Sequence, residues 1–246
     1  MSNENQKVAI VTGASRGIGA AVAERLSKEG FAVVVNYASQ ALPANALVEK
    51  ITLRGGRAIA VKADVSDAAA VAALFDRADT DFGGVDVLVN NAGVMAIAPL
   101  AEIDDATFDR LIAINLKGSF NTLREAATRL RDGGRIINLS SSLVGLLHPG
   151  YSVYTATKAG VEALTAVLAR ELRGRHITVN AVAPGPTATD LFLDGKTPEQ
   201  VERLAKMPPL ERLGEPQDIA ATVAFLAGPD GGWINGQTLR ANGGII

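Results

Sequence analysis

Short runs of apolar, mainly β-branched residues alternate along the chain with longer stretches rich in alanine. Six such runs predict buried strands, at residues 8–11, 32–35, 58–61, 85–89, 135–139 and 177–182. Helical patterns cover residues 17–29, 40–54, 67–80, 105–131, 152–173 and 217–227. Near-continuous apolar strands that are separated by helices of ten or more residues indicate a parallel sheet covered on both faces.

This alternation predicts one α/β domain over residues 1–246, a Rossmann-type doubly wound parallel sheet with helices on both faces. One segment departs from the pattern, because six prolines from Pro184 to Pro216 interrupt any long regular element. A long irregular insertion in a compact domain is usually functional. We therefore expect a lid over the substrate at about residues 186–214.

Composition and charge narrow the classes of function. The 24 Lys and Arg residues nearly balance the 26 Asp and Glu residues, for a formal charge of −2, and no basic run favours nucleic acid or an anionic membrane. No apolar run is long enough to cross a bilayer, and the first residues lack the pattern of a signal peptide, so we expect a cytoplasmic protein. With no cysteine and only two histidines, a metal site is not expected.

A glycine loop directly follows the first predicted strand. Gly13, Gly17 and Gly19 stand between that strand and a helix, where glycine allows positive φ and the helix N-terminus favours an anion such as pyrophosphate. Two other interpretations stay open: a plain tight turn, and a hydrolase nucleophile elbow, because residues 13–17 also spell G-x-S-x-G around Ser15.

The second predicted strand bears on the choice of cofactor. NAD sites usually place an acidic residue on the ribose about 20 positions after the glycines, whereas this chain has the neutral Asn36 there. Arg16 in the glycine loop and Ser39 after the strand are suited to a 2′-phosphate. The sequence therefore favours NADP(H) over NAD(H), with Asn36 as a plain turn residue as the alternative.

Tyr154 and Lys158 are spaced i, i+4 in a predicted helix, so the phenol and the ammonium share one face. A neighbouring cation favours phenolate, and we expect it to bring the pKa of Tyr154 down toward the range useful for acid/base catalysis. Ser141 follows the strand at 135–139 and should lie at the carboxyl edge of the sheet. Asn115 is a polar residue in an apolar helical run, which fits a satisfied structural residue as well as a proton relay.

These motifs, in this order, make the chain resemble the short-chain dehydrogenase/reductase family over essentially its whole length. They comprise residues 12–19, 64–65, 90–93, 115, 141, 154 with 158, and 184–185. Residues 81–93 and 235–244 are most similar to 3-oxoacyl-[acyl-carrier-protein] reductase-like members.

The resemblance implies that Tyr154 is the general acid/base, that Lys158 lowers its pKa and binds the nicotinamide ribose, that Ser141 steadies the substrate oxygen, and that Asn115 holds a relay water. Thr187 departs from the aliphatic residue usual in the family. The resemblance also implies a homo-oligomer, a tetramer formed through helices 105–131 and 152–173. Together with the reasoning above, it predicts that the cofactor contacts Gly13, Ser15, Arg16, Gly17, Ile18, Gly19, Asn36, Tyr37, Ser39, Asp64, Val65, Asn91, Ala92, Gly93, Tyr154, Lys158, Pro184, Gly185, Thr187 and Thr189.

The substrate walls are predicted to be apolar. They comprise residues 143–151 with Leu191, Phe192, Leu193 and Met207, and such walls suit a hydrophobic or aromatic ketone. We therefore predict an NADP(H)-dependent reductase that converts a ketone, a 3-ketoacyl thioester or another hydrophobic carbonyl, into an alcohol. An acyl-carrier protein stays open as a partner. The alternatives are an alcohol or sugar dehydrogenase at the same site, a non-catalytic dinucleotide-binding sensor, and the Ser15 hydrolase with His148 or His176 as base.

Overall fold

A computed structural model describes residues 6–246 and contains one seven-stranded sheet in which every pair of neighbouring strands is parallel. The strands are β1 (Val8–Val11), β2 (Ala32–Tyr37), β3 (Ala58–Lys62), β4 (Val85–Asn90), β5 (Leu130–Leu139), β6 (Thr178–Pro184) and β7 (Thr238–Ala241). Their order across the sheet is β3-β2-β1-β4-β5-β6-β7. The order reverses between β1 and β4, where doubly wound sheets bind ligands beyond the carboxyl ends of their strands.

Ten α-helical segments connect the strands of residues 6–246. They are α1 (Gly17–Lys28), α2 (Ala41–Leu53), α3 (Ala68–Phe82), α4 (Asp105–Leu111), α5 (Gly118–Arg129), α6 (Leu143–Leu146), α7 (Ser152–Glu171), α8 (Asp190–Leu193), α9 (Pro198–Ala205) and α10 (Pro216–Ala227). A π-helical turn at Ile112–Lys117 joins α4 to α5. None of the helices in the described part of the chain combines the length and apolarity needed to cross a membrane.

Apolar side chains pack on both faces of the sheet. Val11, Val33 and Val89 lie in one cluster with residues of α1 and α10. Ile10, Val34 and Leu88 lie in a second cluster with residues of α3 and α5. Because neighbouring strand residues point to opposite faces, strands covered on both sides must be apolar at nearly every position. The prediction of a Rossmann-type doubly wound sheet is confirmed.

Four details differ from the sequence prediction. The predicted helix 105–131 ends at Arg129 and is interrupted by the π-helical turn, because Leu130 turns extended and pairs with Val85. The strand predicted at 135–139 therefore begins at Leu130. The segment expected to be irregular contains α8 and α9. The seventh strand, β7, was not predicted.

Candidate active site

The glycine loop connects β1 to α1 at the carboxyl edge of the sheet. Gly13 and Gly17 have φ values of +59° and +57°. Residues that carry a Cβ rarely adopt this backbone conformation. A Cβ on Gly13 would also come within 2.9 Å of the Cα of Ala92. The loop therefore leaves backbone amides and the start of α1 open toward a cleft, which we call the cofactor cleft.

Gly19 has a different role from the other two glycines. It is buried, and a Cβ there would lie 2.5 Å from both Asn91 Nδ2 and the carbonyl oxygen of Gly13. It is absent from the cleft wall within the described chain. Gly19 thus allows α1 to approach the ends of β1 and β4, while its contact with the cofactor stays a prediction.

The cofactor cleft gathers residues from the ends of β1, β2, β3 and β4. Of the residues expected to bind cofactor, its wall contains Gly13, Ser15, Arg16, Gly17, Ile18, Asn36, Tyr37, Ser39, Asp64, Val65, Asn91, Ala92, Gly93 and Thr189. Residues not expected from the sequence also line it, among them Gln40, Arg110, Ile114 and Asp190. Arg16, Ser39 and Arg110 are exposed at its rim.

Two asparagine side chains hold this cleft together. Asn36 is buried, accepts a hydrogen bond from the Gly13 amide at 3.2 Å and donates to the Ala63 carbonyl at 3.0 Å. Asn91 donates to the carbonyl oxygens of Thr12 and Gly13 at 2.9 and 3.0 Å. The alternative of Asn36 as a turn residue is wrong, because it lies within β2. Its neutral amide fixes the glycine loop from inside the sheet.

A second cleft, the substrate cleft, adjoins the first. Ile18, Asn91, Gly93, Thr189 and Leu191 line both. Ser141, Tyr154 and Lys158 lie together in its wall, where the end of β5 faces the start of α7. The remaining residues expected to contact cofactor, Pro184, Gly185 and Thr187, also line this second cleft. The topology thus brings the three predicted catalytic side chains to one surface.

Lys158 is 5% exposed, and its Nζ donates a 2.7 Å hydrogen bond to the carbonyl oxygen of Leu139. The same Nζ lies 5.7 Å from the centre of the Tyr154 ring. One helical turn separates the two residues, so α7 presents the ammonium and the phenol side by side. The Ser141 hydroxyl accepts a hydrogen bond from the Leu143 amide at 3.2 Å.

Burial governs the protonation of this pair. It raises the pKa of Tyr154 to about 12, against a smaller opposing effect of the hydrogen bond with Ser141. It also lowers the pKa of Lys158 to about 8. The pKa of Tyr154 is thus raised in this structure and not lowered as expected from the sequence, because the effect of burial exceeds that of the hydrogen bond with Ser141. At neutral pH the phenol keeps its proton.

Comparisons with known proteins identify the same family that the motif residues at this site indicate. A family model described as "Enoyl-(Acyl carrier protein) reductase" matches residues 13–246. A "Short-chain type dehydrogenase/reductase" of Picea abies is 48% identical over 98% of this chain and 92% of its own length. The chain belongs to the short-chain dehydrogenase/reductase family. The family assignment made from the sequence motifs is therefore confirmed.

Other members of this dehydrogenase/reductase family are nearly as similar. An Arabidopsis thaliana protein named "NADPH-dependent aldehyde reductase-like protein, chloroplastic" is 45% identical over 98% of this chain and 94% of its own. A "3-oxoacyl-[acyl-carrier-protein] reductase FabG" of Staphylococcus aureus is 45% identical over 97% and 98%. The crystal structure of the angucycline C-6 ketoreductase LanV with bound NADP superposes with a TM-score of 0.92 at 41% identity, covering 97% of this chain and 95% of that one.

Asn115, the remaining family motif residue, is completely buried in the π-helical turn. Its Oδ1 accepts from the Val94 amide and its Nδ2 donates to the Val94 carbonyl, both at 2.8 Å. Nδ2 also lies 3.3 Å from the Thr157 hydroxyl on α7. The geometry favours the structural interpretation of this side chain, while the relay water that the family resemblance implies stays a prediction.

The apolar walls of the substrate cleft are largely those expected. Leu143, Leu146, His148, Tyr151, Leu191, Phe192 and Met207 line it. Leu193 does not, whereas Leu204 and Ile245 do without having been singled out from the sequence. The capping motif Thr197-Pro198 with Gln200 would have revealed α9 and so Leu204, but no local signal marks Ile245.

The residues of the alternative hydrolase are not assembled. Ser15 lies in the cofactor cleft and His148 in the substrate cleft. His176 precedes β6 and therefore lies at the amino edge of the sheet, away from both clefts. No hydrogen bond joins Ser15 to either histidine within residues 6–246.

Proposed function

We propose that this protein is an NADP(H)-dependent carbonyl reductase that converts a hydrophobic or aromatic ketone into an alcohol. One observation carries the proposal: the protonated phenol of Tyr154, the Ser141 hydroxyl and the buried ammonium of Lys158 lie together in the substrate cleft. This cleft adjoins the cofactor cleft, which contains the glycine loop. The cofactor cleft suits a dinucleotide and the substrate cleft suits an apolar ketone.

The residues of the cofactor cleft fit NADP(H). Gly93, which lines this cleft, leaves space because it has no side chain. A Cβ on Gly93 would lie 3.3 Å from Asn115 Oδ1 and 3.7 Å from Lys158 Nζ. The cations Arg16 and Arg110 and the Ser39 hydroxyl at the rim would hold a 2′-phosphate. The names of the Arabidopsis relative and of the ketoreductase structure, with NADPH and NADP, support this cofactor.

Three residues of the chain would act on the substrate carbonyl. Bound NADPH would supply a hydride to the carbonyl carbon. Tyr154, whose high pKa keeps the phenol protonated at neutral pH, would give its proton to the carbonyl oxygen. Ser141 would donate a hydrogen bond to the same oxygen. Lys158, held in place by the Leu139 carbonyl, would stabilise the phenolate that remains.

A 3-ketoacyl thioester is the second candidate substrate. The name of the Staphylococcus aureus relative favours it, and the family model's description also names an acyl-carrier protein. The mainly apolar wall of the cleft favours a hydrophobic ketone, because an acyl-carrier protein is acidic and would need cations near the mouth. Two arginines that the sequence offers for such a contact, Arg129 and Arg131, form ion pairs with Asp76 and Asp86 respectively.

We also propose that residues 186–214 form the lid and that the protein is a homo-oligomer. Leu191, Phe192, Leu204 and Met207 of that segment line the substrate cleft.

The proposed homo-oligomer rests on exposed apolar side chains. Phe108 on α4, Phe120 on α5 and Val167 on α7 are 46%, 46% and 53% exposed, and exposed apolar surface of this kind favours association. Light scattering coupled to gel filtration tests the tetramer.

NADPH consumption tests the reaction. The purified protein would be given a short 3-ketoacyl thioester or an aromatic 1,2-diketone, and NADPH binding would be measured separately by fluorescence. We expect preference for the diketone and a loss of about 10²–10⁴-fold in kcat for Tyr154→Phe. Tyr151→Phe, a cleft tyrosine without the Ser141 and Lys158 partners, is the matched control. Wild-type binding of NADPH without turnover of either ketone would refute the proposal.

A further inference from the structure

Residues 242–246, which follow β7, form a turn at the substrate cleft. Gly243 and Gly244 have φ values of +66° and +85°. Asn242 is buried, its Oδ1 accepts from the Gly244 amide at 3.0 Å, and its carbonyl accepts from the Ile245 amide at 3.4 Å. These bonds fold the segment back on itself, so that Ile245 becomes part of the cleft wall beside Ser141.

The 242–246 turn is fastened to the strand end that carries Ser141. Asn242 Nδ2 donates to the Ser142 hydroxyl at 3.0 Å. The Ser142 amide in turn donates to the Pro184 carbonyl at 2.9 Å. A Cβ on Gly185 would lie only 2.8 Å from the Asn242 Cα, so this contact is backbone against backbone. The turn therefore has a fixed position relative to the catalytic serine.

The same turn packs against two other walls of the cleft. A Cβ on Gly243 would meet Pro208 at 3.0 Å, and one on Gly244 would meet Pro209 at 3.3 Å. A Cβ on Gly145 of α6 would lie 2.5 Å from the Cδ1 of Ile246. The turn is thus enclosed by α6 on one side and by the 186–214 segment on the other. Because these contacts hold the turn in place, we expect a larger side chain at position 245 to take up space in the cleft.

We infer that Ile245 is a specificity-determining residue that limits the size of the apolar group attached to the substrate carbonyl carbon. The inference rests on the proposed function, since it concerns the same cleft. A hydrophobic pocket discriminates by about 10–200-fold for one methylene group. Replacing a four-carbon side chain by a methyl group or by an indole should therefore change the selectivity between small and bulky ketones in opposite directions.

The test compares two ketones in Ile245→Ala and Ile245→Trp. The measured quantity is the ratio of kcat/KM for benzil, a diaryl diketone, to that for 2,3-butanedione. We expect Ile245→Trp to lower the ratio at least tenfold and Ile245→Ala to raise it at least threefold, with Ile245→Val between wild type and Ile245→Ala. Leu53, 80% exposed on α2, provides the matched controls Leu53→Ala and Leu53→Trp, which should leave the ratio unchanged. Ratios within twofold of wild type in all Ile245 variants would overturn the inference.

A binding measurement separates this inference from the proposed reaction. In the Tyr154→Phe background with NADP⁺ bound, calorimetry gives the dissociation constant of benzil without turnover. We expect Ile245→Trp to weaken binding at least tenfold while NADP⁺ affinity and melting temperature stay at the values of the background. Failure of the proposed function would appear as absent turnover of both ketones by the wild-type protein. Failure of this inference would appear as equal benzil dissociation constants with Ala, Ile and Trp at position 245.

Discussion

The cofactor cleft and the substrate cleft differ in the groups that form their walls. In the cofactor cleft the glycine loop presents backbone and is held by hydrogen bonds with the Asn36 and Asn91 side chains, while polar side chains such as Arg16 and Ser39 stand at the rim. The substrate cleft is formed by side chains from β5, α6, α7, the 186–214 segment and the 242–246 turn. Its wall brings together Leu143, Met207 and Ile245, which are far apart in the sequence.

This difference explains why most residues of the cofactor cleft could be predicted from the sequence, whereas the substrate cleft could be predicted only in part. A backbone-built site needs particular residue types at fixed spacing, because glycine is required wherever φ is positive or the backbone approaches closely. A side-chain-built wall needs only apolar bulk from whatever segment packs there. Asn115 joins the two, since its amide holds Val94 at the cofactor cleft and lies beside Thr157 on the catalytic helix.

The sharpest way to break the cofactor cleft alone is Gly19→Val. Its Cβ would meet Gly13 O and Asn91 Nδ2 at 2.5 Å, and a backbone carbonyl cannot yield as a flexible side chain does. Overpacking of this kind costs about 1–3 kcal/mol, and we expect a rise of about a hundredfold or more in the NADPH dissociation constant.

Fluorescence titration checks the affinity, and thermal unfolding checks the stability of the Gly19→Val variant. Gly232→Val is the control, because a Cβ there would meet only the Arg135 guanidinium at 3.4 Å. An NADPH affinity close to that of the wild type in Gly19→Val would mean that the glycine loop does not hold the cofactor.

A substitution with a smaller expected effect tests the preference for NADPH over NADH. Arg16 is exposed in the wall of the cofactor cleft, which Ser39 also lines. Arg16→Ala should therefore raise the dissociation constant for NADPH about tenfold, the scale of one lost hydrogen bond to a charged group. The value for NADH should stay within twofold. The comparison with Arg110→Ala, the other exposed cation in the wall of this cleft, shows how much each of the two cations contributes to binding the 2′-phosphate. Equal losses for both cofactors in Arg16→Ala would contradict the assignment.

The elements that the sequence missed are those that depend on tertiary contacts. β7 has four residues, one of them Arg240, and forms because β6 offers a free edge. Leu130 continues a helical pattern but leaves the helix to pair with Val85. The spacing of Tyr154 and Lys158 was visible, whereas the burial that raises the pKa of the phenol was not. Such loss of hydration depends on segments that are distant in the sequence and that only the folded chain brings together.

Another predicted effect concerns Lys158, in the wall of the substrate cleft. Burial lowers the pKa of this ammonium from 10.5 to about 8. Above pH 8 the folded protein therefore releases a proton that the unfolded chain keeps up to about pH 10.5, so this residue makes unfolding less favourable as the pH rises. The raised pKa of Tyr154 has no such effect below pH 10, because the phenol stays protonated in both states.

Between pH 8 and 10 the free energy of unfolding of the wild type should thus rise relative to that of Lys158→Met, by an amount on the order of 2 kcal/mol. Urea unfolding at several pH values gives this difference, in which every other titrating group cancels. Lys62→Met, at the exposed end of β3, should follow the wild type. If Lys158→Met shows the same pH dependence as the wild type, the ammonium is hydrated in solution. A hydrated ammonium would stabilise the phenolate less strongly than a buried one, and the role proposed for Lys158 would be weaker than its burial in the structure implies.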